Sequence, residues 1–190
     1  MSFVLRVASL VLAVVMAATC ADSSNLSDFA VKDGKGEDVP LSKYKDIPAA
    51  LVVNVASQCG YTDTNYRELQ ALRAKHDEDT LAILAFPCNQ FGRQEPGTYD
   101  EIVSFVEKQF GVTFPVMGKI DVNGEKADPL FTWLKTAAGD AFDIPWNFSK
   151  FLVVCGGKEV KRYSHEVGPM QIEADITNAA KECPVPTEEL

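Results

Sequence analysis

Two short apolar runs on either side of a helix-like segment constrain the fold of this chain most strongly. Leu51–Ala56 and Leu81–Phe86 contain no charged residue, and between them apolar residues recur at helical spacing from Thr62 to His76. Strands that are apolar along their whole length are typical of parallel sheets, in which both faces are covered. Parallel neighbours also need a long crossover connection, which is usually a helix. We therefore expect a strand–helix–strand unit at the centre of the fold.

The flanking segments add antiparallel strands and further helices to this unit. The turn sequence Asp33–Gly36 predicts an N-terminal β-hairpin, and Gly156-Gly157 predicts a second hairpin near the C-terminus. The other predicted elements are helices over residues 102–110, 128–138 and 171–183, and strands over residues 151–154 and 159–163. The order of elements predicts an α/β fold with a mixed central sheet flanked by helices.

The first twenty residues predict a cleaved secretory signal peptide. Arg6 precedes the apolar stretch Val7–Ala18, which is too short to span a membrane, and small residues follow at the positions a signal peptidase reads. An uncleaved anchor or a mitochondrial presequence is the alternative. We expect a signal peptide at residues 1–20, one domain at residues 21–190, and a protein that is secreted or held in the endoplasmic reticulum lumen.

The charge of the chain excludes two classes of partner. The net charge is −9, and the sequence contains no cluster of Lys or Arg residues. Nucleic acids and anionic membranes attract basic patches, so we expect neither as a partner.

Cys59 lies where a thiol is best placed to react. It follows the first apolar strand and precedes a helix, so peptide N–H dipoles would favour its thiolate. Cys88 follows the second apolar strand, and the carboxyl ends of parallel strands are where such sheets hold their chemistry. Taken alone, a cysteine is more often a small buried apolar side chain than a nucleophile.

Three segments resemble the signature sequences of the glutathione peroxidase family. They are Asn54–Thr62, Leu84–Gly97 and Trp146–Leu152, and the resemblance extends over about residues 26 to 183. It implies a thioredoxin-like fold. It also implies a thiol-dependent peroxidase that reduces hydrogen peroxide and organic or lipid hydroperoxides in the response to oxidative stress.

The resemblance also assigns the catalytic residues. Cys59 would be the peroxidatic residue that becomes a sulfenic acid. Gln94, Trp146 and Asn147 would complete a tetrad, because their neutral N–H groups can stabilise the thiolate and the charge that develops on the leaving oxygen. Taken singly they would be a loop residue, a core aromatic and a turn residue. No metal or cofactor is implied; the co-substrate is a thiol reductant, either glutathione or a thioredoxin-like protein.

The other cysteines bear on how Cys59 is reduced. Family members that use a second cysteine carry it on the helix after the Gln94 loop, where this chain has Glu107. Cys88 is the remaining candidate for a resolving residue, with a packing role as the alternative. Cys155, placed in a strand, and Cys183 are expected to be structural. Because the chain is long and poor in cysteine, any disulfide is expected to be catalytic rather than structural.

Substrate access and partners follow from the same resemblance. The short segment between Ile120 and Trp146 lacks the insertion of tetrameric members, which implies a monomer with an open site. Tyr61 replaces a basic residue of the phospholipid-hydroperoxide type, and Arg162 is the candidate cation that remains.

The C-terminal Thr187–Leu190 resembles an endoplasmic-reticulum retrieval signal. An alternative function is a peroxide-driven thiol oxidant that passes disulfides to protein disulfide isomerase-type partners; a third is an interaction protein with a vestigial Cys59.

Overall fold

The computed structural model describes residues 24–183. The predicted signal peptide and the retrieval-like tail Thr187–Leu190 lie outside these residues. The strands are β1 (Ala30–Lys32), β2 (Asp38–Pro40), β3 (Ala49–Val55), β4 (Leu81–Pro87), β5 (Lys150–Val154) and β6 (Glu159–Tyr163), and the α-helices are α1 (Thr62–Lys75), α2 (Tyr99–Phe110), α3 (Pro129–Ala137) and α4 (Glu173–Glu182). Among the described residues, no helix has both the length and the apolar character needed to cross a membrane.

The central sheet has the mixed topology that the sequence predicts. Its strand order is β4-β3-β5-β6, with β3 parallel to β4 and the other pairs antiparallel. β1 and β2 form the predicted N-terminal hairpin as a separate two-stranded sheet. Val55 pairs with Pro87, so β3 and β4 end together at one edge of the sheet. The segments that follow these two strands, including Cys59 and Cys88, therefore start side by side.

The two faces of the sheet pack against different elements. Successive residues of β3, β4 and β5 point alternately to one face and the other, as in any strand. The α1 face includes Leu51, Val53, Leu69, Leu72, Leu152 and Ile176, so α1 and α4 cover it. The α3 face includes Val52, Leu84, Phe86, Phe131, Leu134 and Phe151, and α3 covers it together with the N-terminal hairpin. Because both faces are covered, the strands are buried along their whole length.

Local capping places the helices where the sequence predicts them. The Asp128 side chain accepts a hydrogen bond from the Leu130 N–H at 2.9 Å, and Pro129 occupies the first turn of α3. Thr98 and Glu101 cap the start of α2 reciprocally, which fixes where the loop before α2 ends. That loop carries Gln94.

The structure corrects the prediction for Cys155. This residue lies in the turn after β5, not in a strand, and forms a disulfide with Cys183 at the end of α4. The Cys155 N–H donates to the Pro48 carbonyl at 3.0 Å, next to the first residue of β3. Since Cys59 follows the last residue of β3, the disulfide lies at the opposite end of this strand. The expectation that any disulfide would be catalytic is therefore wrong; this one ties α4 to the sheet.

β5 begins with a fully buried lysine, Lys150. Its Nζ donates to the Val167 carbonyl at 2.6 Å, and no carboxylate of the described residues pairs with it. Burial lowers the pKa of Lys150 from 10.5 to about 8, because the charged form is poorly solvated. The unfolded chain thus binds more protons than the folded chain between these values. The free energy of unfolding should rise as pH increases from about 8 to 10.5.

Replacing Lys150 with Met should therefore stabilise the protein at pH 7. A shift of this size corresponds to about 3 kcal/mol, and the unpaired Val167 carbonyl takes back about 1 to 2 kcal/mol, so we expect a net gain of about 1 to 2 kcal/mol. Urea unfolding between pH 7 and pH 10.5 measures the difference in the free energy of unfolding between the variant and the wild type. This difference should be largest at pH 7 and disappear at alkaline pH. Lys158→Met, at an exposed position in the β5–β6 turn, is the matched control. Equal stability of Lys150→Met and wild type at every pH would contradict the expectation.

Candidate active site

Cys59 lies in a tight turn between β3 and α1. The first residue of α1, Thr62, fixes this turn from two sides. Its hydroxyl donates to the Ala56 carbonyl at 2.7 Å and accepts from the Cys59 N–H at 3.1 Å, while its own N–H donates to the Cys59 carbonyl at 3.0 Å. Cys59 is half-buried and packs against the α1 face of the core. The backbone at Cys59 is therefore held in place, and the residue remains partly exposed to solvent.

The loop between β4 and α2 brings Gln94 to this turn. The Gln58 N–H donates to the Gln94 carbonyl at 3.0 Å, so the residue before Cys59 is bonded directly to the loop. The next residue, Glu95, is fixed by its N–H, which donates to Asn89 Oδ1 at 2.9 Å. Lys119 Nζ donates to the carbonyls of Glu95 and Gly97 at 2.7 and 2.6 Å. The backbone around Gln94 is thus held on three sides.

Asn54, the second-to-last residue of the buried β3 strand, holds the segment that carries Trp146 and Asn147. Its Nδ2 donates to the Trp146 carbonyl at 3.2 Å, and its own carbonyl accepts from the Phe148 N–H at 2.6 Å. Phe148 has a φ of +64°, a left-handed conformation that is strained for a bulky residue. Its ring is fully buried and packs edge-on against Tyr66 at 5.9 Å between centroids. Packing therefore maintains a backbone turn that the isolated segment would not adopt.

A hydrogen bond between two amide side chains joins the two loops. Asn147 Nδ2 donates to Gln94 Oε1 at 2.8 Å, and Asn147 is fully buried. Because the oxygen of Gln94 is used in this way, its Nε2 has no partner among the described residues and is available as a donor. Trp146 is half-buried, with its ring 6.1 Å from that of Phe91. Gln94 is thus linked to the Cys59 turn through Gln58 and to Asn147 through this bond, whereas the Trp146 ring packs on the α3 face of the core.

The charges around the site differ from the prediction in one respect. Arg162 is not a free cation, because its guanidinium donates to the carbonyls of Asp140, Phe142 and Asp143 and pairs with the Asp140 carboxylate at 3.1 Å. Arg93, next to Gln94, is exposed and forms no ion pair within residues 24–183. It is the nearest cation along the chain to the proposed tetrad.

Comparison with known proteins identifies the relatives of this chain. The family model described as glutathione peroxidase matches residues 26–135. A curated protein from Citrus sinensis, named "Probable phospholipid hydroperoxide glutathione peroxidase", is 51% identical over 155 residues, which cover 80% of this chain and 92% of that protein. The chain belongs to the glutathione peroxidase family. A second relative, from Arabidopsis thaliana, is named "Probable phospholipid hydroperoxide glutathione peroxidase 6, mitochondrial" and is 49% identical over 161 residues, covering 84% of this chain and 69% of the relative.

Solved structures confirm the thioredoxin-like fold of this glutathione peroxidase. The crystal structure of T. cruzi GPX1 has a TM-score of 0.67 and 33% sequence identity, and covers 83% of this chain and 97% of its own. The structure of Trgpx in apo form has a TM-score of 0.66 and 38% identity, with 84% and 97% coverage. A thioredoxin-like superfamily protein, SPOA0173, matches in fold alone, with a TM-score of 0.57 and 14% identity over 82% of this chain and 96% of its own.

Cys88, the candidate resolving residue, lies on the other side of the sheet from Cys59. It is fully buried in the α3 face, whereas Cys59 packs against the α1 face. Its N–H donates to the Val55 carbonyl at 3.1 Å, and burial raises the pKa of its thiol. A bond between the two sulfurs therefore requires the segment after β4 to move. Glu107, at the position of the resolving cysteine of some family members, lies exposed on α2.

Sequence reasoning gave no role to two residues that build the site. Asn54 and Thr62 lie within the first signature segment, but only the structure shows that they fix the backbone of the proposed tetrad. A single Asn in an otherwise apolar strand is a usable signal, because a buried amide needs hydrogen-bond partners. Asn54 is fully buried; its Nδ2 bonds to the Trp146 carbonyl and its backbone bonds to residues 148 and 149, while its Oδ1 has no partner among the described residues.

Proposed function

We propose that Cys59 is the peroxidatic residue of this enzyme, which is a thiol-dependent peroxidase of the glutathione peroxidase family. The thiolate donates an electron pair to one peroxide oxygen, and the O–O bond breaks. The other oxygen leaves as hydroxide or alkoxide and takes up a proton to become water or an alcohol. The sulfur is oxidised to a sulfenic acid, which a thiol then reduces. The observation that carries the proposal is the Asn147–Gln94 hydrogen bond beside the Cys59 turn.

The three partners of Cys59 have distinct tasks in this proposal. Gln94 donates through Nε2, which is free because Asn147 occupies its oxygen. Asn147 acts on Gln94 and fixes the orientation of its amide. Trp146 offers the indole N–H, and Asn54 holds its backbone in position. Neutral donors placed in advance stabilise the charge that develops in the transition state without themselves reorganising.

Replacing Asn147 with Ala should lower kcat/KM for the hydroperoxide about 100-fold, because the Gln94 amide loses the contact that orients it. Gln94→Ala should cause a similar loss. The double variant should be little worse than either single variant, since the two residues act as a unit. Steady-state peroxide reduction measures all three, and Asn178→Ala, at an exposed position on α4, is the control.

Thermal unfolding must accompany these assays because Asn147 is fully buried. A variant that melts near the wild-type temperature and keeps full activity would refute the role of Asn147. Additive losses in the double variant would show that Gln94 and Asn147 act separately.

We further propose that the substrates include organic and lipid hydroperoxides as well as hydrogen peroxide. The curated relatives from Citrus sinensis and Arabidopsis thaliana are named as phospholipid hydroperoxide enzymes. Cys59 lies in a half-exposed turn, and a groove of about 530 Å³ opens beside the neighbouring Gln58. Parallel kinetics with hydrogen peroxide, cumene hydroperoxide and a phospholipid hydroperoxide test this range; activity with hydrogen peroxide alone would restrict it.

The reductant is proposed to be glutathione or a thioredoxin-like protein, acting on a monomer. Protein disulfide isomerases are the partners of the alternative, in which the enzyme oxidises client dithiols, but the family relatives favour the peroxidase. Stopped-flow reduction of peroxide-oxidised enzyme by each thiol separates these reductants, and analytical ultracentrifugation tests the monomer. If Cys88 resolves the sulfenic acid, Cys88→Ser should slow the step with thioredoxin and leave the oxidation of Cys59 unchanged.

A location in the secretory pathway remains our proposal for this chain. The Cys155–Cys183 disulfide supports it, because structural disulfides persist in oxidising compartments. The alternative interpretation of residues 1–20 is a mitochondrial presequence. Expression of the full chain in eukaryotic cells, followed by fractionation, decides between them: recovery in medium or microsomes supports the proposal, and recovery in mitochondria refutes it. Deleting Thr187–Leu190 should shift protein from microsomes to medium if this tail is a retrieval signal.

A further inference from the structure

Glu95 is a buried acid that the proposed mechanism does not use. Its side chain is fully buried, and neither carboxyl oxygen has a hydrogen-bond partner among the described residues. The hydroxyl and the N–H of Ser57 lie near enough to the carboxyl group to lower its pKa in part, but the Ser57 hydroxyl oxygen is likewise buried and has no hydrogen-bond partner among the described residues. A buried polar group without a partner is rare in native structures and requires an explanation.

The backbone directs Glu95 inward and ties it to the catalytic loop. Its N–H and carbonyl are bonded to Asn89 and Lys119, which fixes the backbone position from which the side chain enters the interior. Glu95 directly follows Gln94, whose carbonyl accepts the Gln58 N–H at 3.0 Å. Any displacement of Glu95 would therefore also displace the carbonyl that joins the loop to the Cys59 turn.

The surroundings of Glu95 favour the neutral acid. It lines the groove of about 530 Å³ together with Ser57, Gln58, Pro96, Ile102 and Phe105, and the walls of this groove are mainly apolar. Burial raises the pKa of Glu95, and Lys119 and Ser57 oppose this only in part. The titratable groups that face it or share its groove are Lys119, Tyr66 of α1, Cys88 after β4 and Glu101 of α2.

We propose that Glu95 is a positioning residue that works in its protonated form and holds the Gln94 loop against the Cys59 turn. The neutral carboxyl group can remain in the apolar groove. An ionised carboxylate without a partner is far more costly to bury, and turning outward to water relieves that cost. This movement would break the Gln58–Gln94 backbone bond and separate Gln94 from Asn147. The inference rests on the proposed role of Gln94 only for its effect on catalysis.

The Gln58 amide gives a readout of loop position that does not depend on activity. In the wild type, each pH unit between the ordinary pKa of a glutamate and the raised pKa of buried Glu95 should lower the ratio of bonded to displaced loop about tenfold. Hydrogen exchange of the Gln58 amide, corrected for intrinsic exchange, should lose protection accordingly. Amides in the centre of β3 should keep theirs. The value of kcat/KM for peroxide should fall over the same pH range.

Glu95→Gln keeps the shape of the side chain and removes the ionisation. We expect this variant to match wild-type kcat/KM within about threefold at the pH values where Glu95 of the wild type is protonated. It should keep both activity and Gln58 protection at higher pH, where the wild type loses them. Glu107→Gln, which neutralises an exposed glutamate on α2, is the matched control and should follow the wild type throughout.

The outcomes separate this proposal from the proposed function. A folded Glu95→Gln enzyme with the wild-type pH profile, or with activity lost at every pH, would overturn the role of Glu95. If the variant does not fold, wild-type Gln58 exchange decides alone: protection that is independent of pH refutes the proposal. If Gln58 protection follows the expected pattern but no enzyme reduces peroxide, the positioning role stands and the proposed function fails.

Discussion

Cys59→Ser should abolish peroxide consumption, with a loss of at least about 1,000-fold, because a hydroxyl at neutral pH is no substitute for a thiolate nucleophile. The cleanest measurement is a single turnover without reductant. Wild-type enzyme should consume one equivalent of hydroperoxide and either gain one oxygen atom in its intact mass or, if Cys88 resolves the sulfenic acid, lose two hydrogens. The Cys59→Ser protein should do neither. Because Cys59 lies half-exposed in a turn, this change should leave folding intact.

Cys88→Ser is the matched control for this experiment. Cys88 is the other free cysteine among the described residues, and it is fully buried on the opposite face of the sheet. We expect Cys88→Ser to consume peroxide in the first turnover like the wild type. Peroxide consumption that persists in Cys59→Ser and disappears in Cys88→Ser would reassign the nucleophile.

Much of the fold is predictable from the sequence because the relevant signals are local. The apolar strands β3 and β4 and the amphipathic α1 between them lie within one or two residues of their predicted bounds. Asp128 and Pro129 mark the start of α3 because a cap and a first-turn proline act through adjacent backbone groups. In each case the residues that determine the element are the residues within it.

The candidate site is less predictable, because contacts between distant segments build it. The resemblance to the family identified Gln94, Trp146 and Asn147, but no local pattern indicates that Asn147 bonds to the Gln94 oxygen. The positive φ of Phe148 is maintained by Asn54 and by packing in the core, not by the local sequence. Likewise, the burial of Glu95 depends on a groove that its own segment forms only together with Ser57 and α2.

Cys155 and Cys183 are structural, as predicted, but the expectation that any disulfide would be catalytic failed for a reason of the same kind. Cys155 and Cys183 are separated by 28 positions, and only the packing of α4 on the sheet brings their Cα atoms to 5.8 Å. Cysteine count and chain length carry no information about such a distance. Cys155 and Cys59 lie near opposite ends of β3, so the structural and the proposed catalytic cysteines are separated along the strand.

Replacing both Cys155 and Cys183 with Ser should lower the free energy of unfolding by about 3 to 4 kcal/mol, since closing a loop of this length restricts the unfolded chain by roughly that amount. Urea unfolding at pH 7 measures the loss. The double variant avoids leaving a free thiol that could pair elsewhere. Wild-type protein treated with dithiothreitol should unfold at the same urea concentration as the untreated double variant, and dithiothreitol should leave the variant unchanged.

The same change should have little effect on catalysis at 25 °C, because the disulfide lies far along β3 from the Cys59 turn. We expect the double variant to keep kcat/KM for peroxide within about twofold of wild type while it loses stability. This matters for any assay of a thiol-dependent enzyme, since the reductant that regenerates Cys59 can also open the Cys155–Cys183 bridge. If the double variant is as stable as the wild type, the disulfide does not stabilise the fold. If a folded double variant loses most of its activity, the Cys155–Cys183 disulfide affects the active site as well.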